Sequence, residues 1–125
     1  MKVPEKYYDE KFNFKGQWDM PSTCGLKVLD YNGKKLVLVT ELYQDNPGTS
    51  VTYAGASLAN QICEAKGFNA SDIIYIECNP DTSSKLSFYD EEFFQVTFEI
   101  ADGKFTGTPK YKQLSQEEAK EMITL

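Results

Sequence analysis

Neither histidine nor arginine occurs in this chain, and all 13 basic residues are lysines. Without imidazole it lacks the commonest general base at neutral pH and the commonest nitrogen ligand for metals. Without guanidinium it lacks the planar fork that grips phosphates, carboxylates and guanine edges. Cysteine is scarce, with 3 in all: Cys24, Cys63 and Cys78 stand far apart, in no Cys-x-x-Cys pair. No zinc set can be assembled from them, and buried thiols in a reducing cytoplasm are the expectation. Residues 1–16 hold no apolar stretch resembling a signal core, and no run approaches membrane-spanning length. A cytoplasmic protein without membrane contact is therefore expected.

Acid outweighs base, giving a formal net charge of −6 and a pI near 4.6. Phosphate-backbone binding draws on many basic contacts, so nucleic acid is disfavoured as a partner. A solvated acidic surface is the simplest reading, with a basic protein partner behind it. At 125 residues, 41% of them apolar, the chain suits one domain that buries a core without staples. Aromatics are plentiful: 8 Phe, 8 Tyr and 1 Trp favour strands and an interface.

Residues 1–23 mix Tyr7, Tyr8, Phe12, Phe14 and Trp18 with charges, reading as an edge strand or arm. Docking on the chain's own domain, residues 24–125, is favoured over a free arm, while self-association through this segment stays open. Leu26 to Tyr31, Asn32-Gly33 and Lys34 to Tyr43 read as a hairpin, because Asn-Gly supplies both positive φ angles of a tight turn. Leu36 to Val39 is apolar on both faces, as an interior strand requires. Val51, Ala54, Gly55, Leu58, Ala59, Ile62 and Cys63 recur at helical spacing, with Gly67 as the stop. Ile73 to Cys78 is a further buried strand. Phe93–Ile100 and Lys104–Lys112 flank an Asp102-Gly103 turn, with Phe94, Val96, Phe98 and Ile100 on one face. Pro109 places the last strand at an edge, and Ser115 opens a short helix with capping-box character. The fold class is α+β, in the order ββαβββα, with a mixed sheet of about five strands.

The strand–helix–strand unit is where a site can form. Its crossover makes the two strands parallel, so their carboxyl ends share one sheet edge. Glu41, Asp45, Asn46, Gly48, Thr49, Ser50 and Thr52 gather there from the first strand, its loop and the helix start. Glu77 arrives from the second strand. The loop resembles an anion cradle but lacks the lysine of a phosphate-binding loop, and plain helix capping explains the same residues. Glu77 is the sharpest candidate: a desolvated acid at a strand end would have a raised pKa, useful to a general base. The competing reading sets Tyr75 and Glu77 on a solvent face. Paired with Glu41 or Asp45, Glu77 could instead ligate a hard cation. Cys78 has no activating base nearby and reads as structural.

The run Val39-Thr40-Glu41-Leu42, Asp45 to Thr52, Leu58-Ala59, Ile76-Glu77 and Pro80 resembles an uncharacterised family of small bacterial proteins, over residues 39–80. This chain departs from that pattern at Tyr53, Ala56 and Cys78-Asn79. The resemblance implies no activity, and no catalytic residue carries over.

No catalytic residue, metal site or cofactor is assigned from sequence. The expected function is that of a small accessory protein, acting by protein contact or by holding a small ligand at the sheet edge. The alternatives are a carboxylate-dependent, Mg²⁺-assisted hydrolase and a phage or mobile-element inhibitor of a host factor.

Overall fold

The computed structural model describes residues 5–42, 51–80 and 92–124. In chain order they form β1 (Glu10–Lys15), β2 (Pro21–Tyr31), β3 (Lys34–Glu41), α1 (Val51–Lys66), β4 (Ile73–Asn79), β5 (Glu92–Ala101), β6 (Lys104–Gln113) and α2 (Gln116–Met122). Among the described residues the six strands make one sheet in the order β1-β2-β3-β4-β5-β6. Every pairing is antiparallel except β3 with β4, which the α1 crossover makes parallel. The α+β class and the mixed sheet are as expected, with one more strand. That strand is β1, because the aromatic N-terminal segment pairs along β2, from Glu10 opposite Leu26 to Lys15 opposite Pro21.

Side-chain alternation divides the core between the two faces of the sheet. On one face Leu26, Val37, Val39, Tyr75 and Val96 meet α1 through Leu58, Ala59 and Ile62. On the other, Leu36, Leu38, Ile76 and Cys78 meet Leu114, Ala119 and Ile123 around α2, and Tyr7 from the N-terminal segment. β3, apolar on both faces, lies between these layers, buried from Leu36 to Glu41. Removing a side chain such as Ile62 from this interior would cost about 2–5 kcal/mol, the transfer and cavity terms together.

Local chemistry fixes the boundaries. Asn32 and Gly33 take φ of 49° and 78°, turning β2 into β3. Gly67 ends α1 at φ 73°. The Ser115 hydroxyl accepts from the Glu118 amide, and the Glu118 carboxylate accepts from the Ser115 amide, closing the capping box of α2. Two features were not foreseen. Gly55 sits at φ 49°, ψ −132°, so the first turn of α1 is offset from the rest. An irregularity between Thr97 and Glu99 shifts the β5–β6 register, and beyond it Ile100 is exposed rather than in the core.

Both edges of the sheet reach α1. Asn60 accepts from the Phe105 amide and donates to the Phe105 carbonyl, each at 2.9 Å. Gln61 does the same for Lys15 of β1, also at 2.9 Å. Six strands laid flat would span roughly 24 Å, more than twice the width of a helix. Only a sheet curled around α1 brings both edges to it. The curl encloses the side chains that project toward the helix, including the one buried carboxylate that had been singled out in β4.

Candidate functional site

Glu41 ends β3 and Glu77 lies near the end of β4, at the shared carboxyl edge of the parallel pair. In register Val39 faces Glu77 and Thr40 faces Cys78. Both acids project toward α1, and each is only 6% exposed. The solvent-face reading of Tyr75 and Glu77 is therefore corrected: Tyr75 is 4% exposed. Curling of the sheet puts this face inside, a global property that strand alternation alone cannot reveal.

The two carboxylates have different environments. Glu41 Oε2 accepts the backbone N–H of Val51, the first residue of α1, at 2.9 Å. This is a helix N-terminus capped from a neighbouring strand, where an anion is stabilised by free amides and the helix dipole. Glu77 receives no such support. Burial, and then the charge of Glu41, push its pKa up to about 7, and among the described residues no hydrogen bond or cation is seen to offset them.

Around Glu77 stand groups that feel its charge. The Tyr75 hydroxyl is buried without a hydrogen-bond partner, the only such side-chain atom among the described residues. Burial first, and Glu77 second, hold that phenol well above its ordinary pKa. Tyr111 of β6 is 42% exposed, and its phenol is pushed up to about 12 by burial and by Glu77. Phe94 faces Glu77 across the β4–β5 pairing and meets the Tyr111 ring edge-on, with centroids 6.5 Å apart. Cys24, in register with Glu41, has its thiol raised by burial and then by Glu41. The cluster thus runs from the buried Tyr75 hydroxyl, past Glu77, to the half-exposed Tyr111.

Of the other sequence candidates, Thr52 is exposed on the first turn of α1. Asp45, Asn46, Gly48, Thr49 and Ser50 lie outside the described residues. Glu41 and Glu77 are thus brought together, and Thr52 faces solvent. Tyr75, Phe94 and Tyr111 were not singled out from sequence. Tyr75 was within reach, two residues before Glu77 and so on the same face. Tyr111 was not, because its place depends on pairing across two further strands.

All three cysteines are buried and none forms a disulfide; Cys78 lies on the face opposite Glu77. Among the described residues no three His, Cys, Asp or Glu side chains converge to hold a metal ion. No helix among them is long and apolar enough to cross a membrane.

No protein-family model matches this chain, and no curated protein or solved structure is similar to it. What the arrangement can do chemically is set by its groups. A carboxyl that titrates near neutrality beside an unpartnered phenol can accept or donate a proton, or hold a ligand through two directed hydrogen bonds.

Proposed function

We propose that this is a small binding protein that holds a small ligand at the carboxyl ends of β3 and β4, against Glu77 and Tyr75. One observation carries the reading: the Tyr75 hydroxyl is buried with no hydrogen-bond partner among the described residues, in one cluster with Glu77, a residue only 6% exposed. Leaving a buried polar group unmade costs about 1–3 kcal/mol, more when it is charged. A ligand that supplies the missing partner offsets that cost. The likeness over residues 39–80 to an uncharacterised bacterial family supports the same edge, since Glu41 and Glu77 belong to the shared pattern. Three buried cysteines with no disulfide between them support a reducing, cytoplasmic setting.

Native mass spectrometry on protein purified gently from its own host tests the proposal. A small mass retained at near-stoichiometric occupancy, and lost in Tyr75→Phe, is the expected result. A wild-type chain that is bare under every gentle condition sinks it. Attention then moves to protein contact, for which Trp18, 86% exposed beside the half-exposed Met20, is the best-placed surface. The same surface supports self-association through the N-terminal segment.

A second reading, a carboxylate-dependent enzyme, draws on the pKa of Glu77 near 7, which suits a general base. Glu77→Gln would then abolish turnover of the retained molecule while its binding persists. Binding and turnover lost together, or no turnover in the native chain, count against the enzyme.

A further inference from the structure

The surroundings of Glu77 narrow the ligand's chemistry. The ion pairs of the described lysines, Lys27 with Asp9, Lys35 with Asp30, Lys66 with Glu10 and Lys112 with Glu118, all engage other acids. Among the described residues, then, no lysine is paired with the buried Glu77. Its neighbour Glu41 adds negative potential to the same cluster and is held in place by the Val51 amide. An anionic ligand would meet this pair at a low local dielectric, where repulsion is strong. A neutral ligand would leave an ionised Glu77 uncompensated. Toward β5 and β6 the neighbours of Glu77 are aromatic: Phe94 faces Glu77, and Tyr111, 42% exposed, packs edge-on against Phe94. Faces of such rings attract cations. The unpartnered Tyr75 hydroxyl, 4% exposed, supplies a lone pair for an N–H and a proton for the carboxylate.

We infer that the ligand is a small organic cation, an alkylammonium or quaternary ammonium, with its charge against the Glu77 carboxylate and its carbons against Phe94 and Tyr111. This rests on the binding site proposed above. An organic cation is favoured over a metal ion because no three metal-ligating side chains converge among the described residues.

Binding a cation demands ionised Glu77, so uptake releases a proton wherever Glu77 would otherwise hold one. The titratable groups around Glu77 are Glu41 on β3, Cys24 on β2, Cys63 on α1, Tyr75 on β4, Glu92 on β5 and Tyr111 on β6. The thiols and phenols among them are moved up and away from neutrality, and Glu77 titrates near pH 7.

Isothermal titration calorimetry at constant ionic strength decides the matter, with n-butylammonium and tetramethylammonium as probes and n-butanol and butyrate as controls. At least one cation is expected to bind about tenfold more tightly at pH 8 than at pH 6, following the ionised fraction of Glu77. Glu77→Gln is expected to lose at least about tenfold at pH 8, and the controls to show no binding. The pH comparison uses the native chain, so the test survives if the variant fails to fold. Cation binding that ignores both pH and Glu77→Gln overturns the inference as surface attraction only. Binding of butanol or butyrate that Tyr75→Phe weakens overturns the cation class and leaves the site standing. Silence from all four compounds overturns both.

Discussion

Asn60 and Gln61 are adjacent in α1, yet each grips the backbone of an opposite edge of the sheet. Asn60 pairs with both polar groups of Phe105 in β6, and Gln61 with both of Lys15 in β1. Each carboxamide mimics a strand, satisfying an edge N–H and C=O that would otherwise invite pairing with another chain. Together the two side chains hold the sheet in its curl around the helix.

Truncating Asn60 therefore removes two partly buried hydrogen bonds at once. Asn60→Ala is expected to lower stability by about 1–3 kcal/mol, and Gln61→Ala, whose contacts are exposed, by less. Urea denaturation measures the loss, and amide exchange locates it. The Phe105 amide should exchange faster in the first variant and the Lys15 amide in the second. Unchanged exchange at both would mean the edges are held by other contacts.

Glu77 gives stability a pH dependence of definite sign. Its pKa rises from 4.5, the ordinary value, to about 7 in the fold. Between these values the folded state binds more protons than the unfolded one, so stability falls as pH rises. The contribution is intact below pH 4.5 and is lost as pH passes through 7, amounting to about 3 kcal/mol over the whole window. Glu77→Gln, which cannot ionise, should flatten the slope of unfolding free energy between pH 5 and 8. It should also be the more stable protein at pH 8. Parallel slopes for the two proteins would show that Glu77 is not the group responsible.

Most of the fold was legible in local patterns, and most of the site was not. The Asn32-Gly33 turn, the α1 stripe from Val51 to Cys63 and the Ser115 capping box each depend on residues close in sequence, and each is present. The burial of Tyr75 and Glu77 depends on the sheet curling, which Asn60 and Gln61 secure from a distance of more than 40 residues in each direction. Glu41 was read as a site acid, and its carboxylate also caps α1, a contact ten residues along the chain. The exposure of Ile100 near the end of β5, and the register irregularity between Thr97 and Glu99, are announced by no turn residue.

Gly25 marks where the N-terminal segment is pressed against the sheet. A Cβ there would lie 2.8 Å from Tyr8 Cβ and 2.9 Å from its Cγ, at the root of the side chain, where little can give. Gly25→Ala should force the segment at Tyr7 and Tyr8 away from β2 and cost about 1–3 kcal/mol. It should also loosen the bond from the Thr40 hydroxyl to the Tyr7 carbonyl, now 3.2 Å. Limited proteolysis ahead of β1 reports the detachment. Wild-type resistance together with wild-type stability would show that the segment accommodates the methyl group.

Glu41 couples the helix to the site, and its neutralisation should be felt at both. Glu41→Gln keeps an oxygen for the Val51 amide but removes the charge that favours a helix N-terminus, at a cost of about 0.5–2 kcal/mol. Glu41→Ala also removes the acceptor and should cost more. At the site the same charge raises the pKa of Glu77, so Glu41→Gln should lower that value. The fall is partial, because burial is the larger cause and persists. With Glu77 ionised over more of the neutral range, the loss of stability with rising pH still begins near pH 4.5 but ends at lower pH and totals less. Carbon-detected NMR titration of the Glu77 carboxyl reads the shift directly. A midpoint that stays or rises in Glu41→Gln would mean that the two carboxylates do not sense one another, and that burial alone sets the chemistry of Glu77.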